Sequence, residues 1–357
     1  MKWRLPALLA LAAAAFLAGR WTADTPSPEP KAVAADTPET PAKGWTKGKG
    51  YGWGWGKDDE VGSLNAMTPA TIKAALGLAK AGKVYDLGVA YDRESFKWPG
   101  HSPAEVITFR NPDGIRRQGD FKAAVDPKAN PHKTAWHSAA IFINDNVGTQ
   151  IDGLAHITTG EDSHWYNGFK EADWGGNWGV RKCDSVSIPP IITRGVMIDV
   201  AALRKVDALP AHYKITATDL QGALERQKTE LRPGDTVLIR TGALRHWAAN
   251  GADHKKLGEH DSAGIDLAAA RWLVEQKGAI LIGSDTSGLE HAPAPGEAGG
   301  FIPVHRYLLV EQGVHIGEFH FLEELAKEGV YEFCYVCCTN KIRGAAAGFA
   351  LRPIAIR

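Results

Sequence analysis

The sequence predicts a single mixed α/β domain. Apolar segments with the two-residue period of strands alternate along the chain with segments of helical period. No internal repeat or second linker interrupts this alternation, so a chain of 357 residues is expected to fold as one large domain. We place this domain at residues 45–357, after a targeting segment at 1–23 and a disordered linker at 24–44.

Composition restricts the class of partner. The hydrophobic fraction of 44% and the charged fraction of 23% are typical of a folded protein with a real core. Lys plus Arg equals Asp plus Glu at 41 each, and the basic residues form no long block. This argues against nucleic-acid binding, which needs a clustered basic surface. A small organic molecule is the expected substrate or ligand.

The N-terminus has the pattern of an export signal. Lys2 and Arg4 precede the uncharged apolar run 5–19, which is short for a membrane span of about 20 residues. The small-x-small pattern at 32–34 lies far from this run, so an uncleaved N-terminal membrane anchor is the alternative. From Arg20 to about residue 43 the chain is rich in Pro, Ala and Thr and is expected to be disordered. We therefore expect an exported protein, periplasmic or secreted, with or without a membrane anchor.

One clear helix signal opens the domain. Thr68 is a good N-cap, Pro69 suits the first turn and Gly82 can end a helix, which predicts a helix over 68–82. The apolar, β-branched segments that follow predict strands at 84–89, 141–143, 148–152 and 196–200, with a turn at 144–146.

Helix and strand signals alternate more regularly in the second half of the chain. Thr218 and Gln221 have the spacing of a capping box, which predicts a helix from 219 to about 227. Pro233-Gly234-Asp235 predicts a turn into a strand at 236–241. Gly278 and Gly313 are natural ends for helices at 264–277 and 305–312, followed by strands at 279–284 and 314–319.

The four cysteines lie in the folded part, at 183, 334, 337 and 338. One disulfide can form in an oxidising compartment, although the sequence does not give its pairing. A zinc site would need a fourth ligand and usually a second paired motif. Because the residues before Cys334 alternate like a strand, we favour buried or bridged thiols.

The densest polar segment is 148–156. On an extended backbone Gln150 and Asp152 face the same side, and Gly153 permits a bend that returns His156 toward them. An amide, a carboxylate and an imidazole would then converge, which suits a zinc- or manganese-like ion. The spacing by itself favours a simpler interpretation, in which the Asp caps a turn and the His is a buried structural histidine.

The residues Gly148-Thr149-x-x-Asp152-x-x-x-His156 resemble the motif of the cyclase family of metal hydrolases. This family includes kynurenine formamidase, isatin hydrolase and a dienelactone hydrolase, and its pattern is H-x-G-T-H-x-D-x-P-x-H. This chain has Asn146, Gln150 and Leu154 where that pattern has His, His and Pro. It is similar to a subgroup that reads GTQ-x-DGLAH.

The resemblance covers most of the domain, with ordered matches at 56–65, 192–200, 238–242, 285–286, 303–305 and 317–318. It implies a swivelling β/β/α fold that usually assembles as a homo-oligomer. It also implies a divalent ion, manganese or zinc, bound by Asp152, His305 and Glu318. Gln150 or Asn146 would assist.

Two further roles follow from the resemblance. His156 would be the general base and acid, or else a ligand that replaces the nitrogen missing at position 150. Asp285 follows a buried strand, where it would orient a histidine or simply hold a turn. The implied activity is hydrolysis of a cyclic amide, a lactone or an N-acyl small molecule by a metal-activated water.

A catalytically inactive binding protein of the same fold is the alternative, because two family histidines are missing at 146 and 150. Retention of Asp152, His156, His305 and Glu318 argues against it. A serine hydrolase ranks last, since the chain has no G-x-S-x-G elbow.

Overall fold

Most strands of the computed structural model join one sheet. They are β1 Val84–Asp86, β2 Glu105–Arg110, β3 Ser138–Phe142, β4 Gln150–Asp152, β5 Ile191–Asp199, β6 Lys214–Ile215, β7 Thr236–Arg240, β8 Trp247–Ala248, β9 Gly251–Ala252, β10 Gly264–Ile265, β11 Leu281–Ser284, β12 His315–Glu318, β13 Glu332–Cys337 and β14 Ile354–Ile356. Eight of them form a sheet in the order β1-β14-β13-β5-β7-β11-β12-β4. The remaining strands form the two-stranded pairs β2–β3, β6–β10 and β8–β9.

The sheet is mixed. Its centre, β5-β7-β11-β12, is parallel, whereas β4 at one edge and β13, β14 and β1 at the other are antiparallel to their neighbours. All residues of β7, β11 and β12 are buried, as expected for parallel strands covered on both faces. This confirms the mixed α/β fold class.

Helices cover the sheet. The α-helices span Pro69–Leu76, Pro112–Gln118, Lys122–Val125, Glu171–Trp174, Val200–Arg204, Ala217–Gln227, His254–His260, Leu267–Arg271, Pro303–His305 and Glu323–Glu328. Short 3-10 helices span Gly62–Ala66, Tyr166–Gly168 and Ala243–His246, and π-helical turns span Trp272–Gln276 and Arg306–Glu311. The helix Ala217–Gln227 shows why they pack: it buries Leu220, Ala223 and Leu224, which share one helical face.

The structure describes residues 44–96, 101, 104–248, 251–293, 295–296, 299–348 and 351–357. The predicted leader at 1–23 and all but the last residue of the predicted linker lie outside these ranges. The described residues belong to one compact unit, Lys43–Arg357. Among them, none of the helices combines the length and the apolar character needed to cross a membrane.

Several predicted boundaries shift because tertiary contacts compete with local signals. The helix predicted over 68–82 ends at Leu76, and the strand predicted over 84–89 ends at Asp86. The helix predicted from 264 begins only at Leu267, because residues 264–265 pair with β6 and Asp266 caps the helix by accepting a hydrogen bond from Ala269 N.

The capping box is also displaced from its predicted position. Thr216 N donates to Asp219 Oδ2 over 2.9 Å, and Asp219 N donates to Thr216 Oγ1 over 3.3 Å. Thr218 is exposed within the first turn. The predicted pair of Thr218 and Gln221 is therefore wrong, because β6 ends at residue 215 and the helix begins directly after Thr216.

None of the four cysteines is bridged. Cys183, Cys334 and Cys337 are buried and Cys338 is exposed. Burial raises the pKa of Cys337 to about 12, so this thiol stays protonated. The buried-thiol interpretation applies to three cysteines, and the disulfide alternative is wrong.

The two threonines give a matched test of the helix start. Thr216→Ala should lower the free energy of unfolding by about 1 kcal/mol, the usual contribution of a side-chain N-cap. Thr218→Ala should change it by less than about 0.5 kcal/mol, as exposed substitutions usually do. Urea unfolding followed by circular dichroism measures both. Equal losses in the two variants would contradict the cap at 216.

Candidate metal centre

The pairing of β4 with β12 builds one wall of the site. Gln150 lies opposite Glu318, and Asp152 lies opposite Ile316. Because side chains alternate along a strand, Gln150, Asp152 and Glu318 share one face. The Gln150 amide Nε2 donates to Glu318 Oε2 over 2.6 Å and lies 3.4 Å from Asp152 Oδ1. The register therefore brings two carboxylates and an amide together.

The Gly148-Thr149 pair explains how β4 enters this register. Gly148 has φ +68°, and a Cβ there would lie 2.6 Å from the Tyr91 ring. Thr149 is fully buried; its Oγ1 accepts from Val89 N over 2.9 Å and donates to Phe319 O over 2.7 Å. These bonds tie the start of β4 to the end of β12, next to Glu318.

The helix that begins at Pro303 contributes the histidine. Ligand atoms of Asp152, His305 and Glu318 all lie within 4.8 Å of one another, and all three side chains are buried. His305 Nε2 is 3.8 Å from Asp152 Oδ2 and 3.5 Å from Glu318 Oε1. The structure thus brings together three of the predicted ligands, from two strands and one helix.

The electrostatics favour a cation at this cluster. Burial, and then the charge of Asp152, raise the pKa of Glu318 to about 8. Burial by itself would lower the pKa of His305. Hydrogen bonds to Glu290 and Glu318, together with the Glu318 and Asp152 charges, raise that pKa to about 10. The raised pKa values of Glu318 and His305 reflect carboxylates that are buried close together. Such buried negative charge needs a compensating positive group.

Two unpaired atoms fit a divalent ion. Asp152 Oδ2 and Gln150 Oε1 are buried and have no hydrogen-bond partner. Buried polar atoms are almost always paired, so two such oxygens beside a histidine indicate a missing ligand. Asp152, His305 and Glu318 would hold the ion, and the Gln150 oxygen is free to assist because its amide nitrogen is engaged by Glu318. Asn146 instead donates from Nδ2 to Asp152 Oδ1 over 3.2 Å.

His156 lies at the open side of the cluster. The backbone turns at Gly153, whose carbonyl accepts from His156 N over 3.0 Å. His156 Nε2 comes within 4.0 Å of Asp152 Oδ2, and its side chain keeps 23% of its surface exposed. A partly exposed imidazole beside buried ligands suits proton transfer to a bound small molecule.

Comparison with known proteins identifies the family. Residues 85–291 match the Cyclase family model, described as "Putative cyclase". The chain belongs to the Cyclase family. A crystal structure of a novel cyclase superposes with a TM-score of 0.72 at 31% identity, covering 86% of this chain and 99% of that one.

More distant cyclase-like structures share the fold. Isatin hydrolase A from Labrenzia aggregata, bound to benzyl benzoate, gives a TM-score of 0.52 at 18% identity, covering 79% of this chain and 97% of that chain. Isatin hydrolase A from Ralstonia solanacearum gives 0.53 at 19% identity, with coverages of 81% and 98%. No curated protein matches this chain at a significant level.

In this cyclase-family chain, the contacts of Asp285 are those of a turn residue. Its Oδ1 accepts from Thr241 N and Thr241 Oγ1, both over 2.7 Å, and its Oδ2 accepts from Gly242 N over 2.7 Å. Burial raises its pKa to about 6. Of the two roles that the sequence left open, the structure supports the turn. The expected catalytic role of orienting a histidine is not seen, because backbone amides and a hydroxyl of 241–242 occupy both carboxylate oxygens.

Glu290 orients the histidine instead. Its Oε1 contacts His305 Nδ1 and accepts from His305 N over 3.1 Å, and its Oε2 accepts from Val304 N over 3.2 Å. With Nδ1 engaged, Nε2 is the nitrogen that faces Asp152 and Glu318. Sequence reasoning missed Glu290, because it lies in a Pro/Gly-rich loop without a periodic pattern.

His101 is a second residue that the sequence did not single out. Burial, and next the charge of His156, lower its pKa, while Asp152 and Asp145 act in the opposite direction. Its Nδ1 is buried without a hydrogen-bond partner. His101 is therefore within electrostatic range of His156 and Asp152. A lone histidine with no recognisable motif around it gives no sequence signal.

Glu290→Gln should weaken the binding of a divalent ion by about 10–100-fold, the usual effect of removing a carboxylate behind a ligating histidine. The neutral amide no longer stabilises His305 as a donor. Calorimetric titration with Mn²⁺ or Zn²⁺ measures the affinity. Glu311→Gln, which removes a carboxylate that pairs with Arg306 on the following π-helical turn, is the control and should bind normally. Equal affinity in both variants would show that Glu290 does not support the site.

Proposed function

We propose that this cyclase-family protein is a metal-dependent hydrolase that opens a cyclic amide, a lactone or an N-acyl bond in a small molecule. One observation carries the proposal: Asp152, His305 and Glu318 converge in a buried cluster with unpaired oxygens, beside the partly exposed His156. The isatin hydrolases share the fold, which supports a carbonyl substrate.

A divalent ion in such a site lowers the pKa of water and polarises a carbonyl group. The chain's own residues account for the proton transfers. His156 Nε2 takes a proton from the attacking water as a new C–O bond forms at the carbonyl carbon. The C–N or C–O bond to the leaving group then breaks, and His156 returns the proton to that nitrogen or oxygen. Asp152, 4.0 Å away, stabilises the imidazolium between the two steps.

The ligand set favours an oxygen-preferring ion. Asp152, Glu318 and the Gln150 oxygen outnumber the one buried imidazole of His305. Manganese accepts such a set readily, whereas zinc prefers nitrogen and sulfur donors. We propose manganese as the preferred ion and zinc as the alternative.

We also propose that the protein is exported and that it associates with itself. The cationic start and apolar run at 1–19 support export to the periplasm or beyond, with or without a retained anchor. The family resemblance supports a homo-oligomer.

A binding protein without turnover is the second candidate. The observation behind it is that Asn146 and Gln150 replace two family histidines, and that both amides form hydrogen bonds with the carboxylates of the site. Retention of His156 at the open side favours the hydrolase.

The decisive experiment is a screen of lactones, cyclic imides and N-formyl amides with protein loaded with manganese or zinc. Turnover that disappears on chelation and returns with the ion would support the hydrolase. A loaded protein that binds these molecules without converting any of them would support the binding protein instead.

His156→Ala should lower kcat by about 10²–10⁴-fold, the usual contribution of one acid–base group. Metal content should stay close to that of the wild type, because Asp152, His305 and Glu318 remain. Steady-state kinetics and elemental analysis of the same preparation measure both quantities. Loss of the ion from this variant would show that His156 is a ligand.

Gln150→His should move metal preference toward zinc, since imidazole is a stronger zinc donor than an amide oxygen. Competitive loading with equal manganese and zinc, read by elemental analysis, measures the shift. Gln221→His, a change on the exposed face of the helix Ala217–Gln227, controls for added histidine. An unchanged ratio would mean that Gln150 positions Glu318 or contacts substrate and does not touch the ion.

A further inference from the structure

Two histidines lie side by side in a surface cleft, apart from the metal centre described above. His246 is the last residue of a 3-10 helix, and His260 is the last residue of an α-helix. The centroids of the two imidazole rings are 5.3 Å apart, and the ring planes are inclined by 17°. Together with Asp207, Ala208 and Arg245, the two rings line a cleft of about 350 Å³. The proposed hydrolase reaction uses none of these residues.

Backbone contacts hold the two histidines at this spacing. Leu209 links the pair to the end of β7: its N donates to Thr241 O over 2.8 Å, and its carbonyl accepts from His260 Nδ1 over 2.7 Å. Asp253 N, at the start of the helix that carries His260, donates to His246 O over 3.0 Å. Both ends of that helix are therefore attached to neighbouring segments, and these attachments fix the distance between the rings.

Buried apolar side chains also hold the two helices together. Leu244 precedes His246 by two residues, and Leu257 precedes His260 by three. Both leucines are almost completely buried, and they belong to the same apolar cluster. The two imidazoles thus extend from packed elements, and side chains on rigid elements are preorganised for a ligand.

The hydrogen bonds leave a ligand nitrogen available on each ring. Because a carbonyl oxygen only accepts, His260 Nδ1 carries the proton and its Nε2 has a free lone pair. Metal-ligating histidines commonly donate their other N–H to a backbone carbonyl in this way. Burial, and then the charge of His260, lower the pKa of His246; Lys256 and Arg245 act in the same direction and Asp253 in the opposite one. His246 is therefore neutral at neutral pH, which is the form that binds a metal ion.

The distance between the rings is that of two ligands of one tetrahedral ion. Zinc binds an imidazole nitrogen at about 2.0–2.1 Å, so the centroid of a ligating ring lies about 3.2 Å from the ion. At a tetrahedral angle, two such centroids are about 5.2 Å apart. The centroids of His246 and His260 are 5.3 Å apart. Neither helix therefore has to move for both rings to bind the same ion.

The charges around the cleft are balanced. Arg245 Nη1 lies 3.0 Å from Asp207 Oδ1, and Lys256 Nζ lies 3.8 Å from Asp253 Oδ2. Two cations and two carboxylates leave no net positive charge to repel a divalent ion. The Asp207 side chain is 90% exposed, so it is free to turn from Arg245 toward an ion on the two histidines.

We propose that His246 and His260 form a second metal site, which binds a divalent transition ion of the zinc, nickel and copper class. The class follows from the donors, since imidazole suits these ions whereas manganese prefers oxygen. Water and the Asp207 carboxylate complete the coordination, because the described residues bring three ligand groups together only at the buried centre. The proposal is independent of the proposed hydrolase activity, since the two sites share no residue.

Retention on immobilised Ni²⁺ tests the pair in the full chain without an affinity tag. The wild type should bind the resin, because the two imidazoles ligate one chelated ion, whereas the ligands of the first centre are buried and do not reach it. His246→Ala and His260→Gln should elute at an imidazole concentration at least about twofold lower; the glutamine keeps a side-chain donor for Leu209 O. His254→Ala and His132→Ala remove exposed histidines elsewhere and should elute like the wild type.

Calorimetric titration with Zn²⁺ counts the ions in the same five proteins. Each variant of the pair should bind one zinc ion fewer than the wild type, or bind it at least about tenfold more weakly, and both controls should match the wild type. Because the count is relative to the wild type, it does not depend on whether the buried centre takes an ion. Equal binding by all five proteins would overturn the proposal, as would equal losses in pair and control variants.

Hydrogen exchange of the wild type needs no substitution. Amides of 255–260 should exchange at least about threefold more slowly in the zinc-loaded protein than in the manganese-loaded protein, because an ion on His246 and His260 stabilises that helix against local opening. Manganese controls for occupancy of the buried centre. Equal exchange with the two ions would contradict the second site, even if a variant failed to fold.

Discussion

The antiparallel pairing of β4 with β12 is the contact on which the candidate site depends. It places Gln150 opposite Glu318 and directs Asp152 to the same face. A shift by one residue would turn Gln150 and Asp152 to the opposite side of the sheet and separate them from Glu318. Thr149 prevents that shift by bonding two backbone groups on neighbouring segments. The threonine of the motif thus has a structural task that is as specific as that of the polar residues after it.

Burying several carboxylates around one imidazole lowers the stability of the folded state, and the surrounding structure has to compensate for this loss. Leu289 and Ile302, with φ of +56° and +39°, precede Glu290 and Pro303. Residues without glycine's freedom adopt such backbone angles only where their surroundings impose them, often at functional sites. These two strained residues flank the loop that brings Glu290 into contact with His305. Side-chain contacts hold one end of this loop, where Ser287 N donates to Asp261 Oδ1 over 2.7 Å.

The site and the β2–β3 ribbon differ in how far their side chains are buried. Asp152, His305 and Glu318 are all buried, and two strands of the sheet and one helix supply them. The ribbon leaves the apolar side chains of Val106, Ile107 and Ile141 exposed. Its return strand β3 ends eight residues before Gln150.

Local patterns in the sequence predicted the alternation of strands and helices, the common face of Gln150 and Asp152, and, through the family motif, His156, His305 and Glu318. These features depend on residue type and on short spacings along the chain. They can therefore be recognised without knowing how distant segments pack. Tertiary structure decided which carboxylate forms hydrogen bonds with which partner. Asp285 binds the backbone of 241–242 and Glu290 binds His305, although sequence position favoured Asp285. Hydrogen bonds between segments far apart in the chain leave no periodic signal, so only the packed sheet and its loops could assign them.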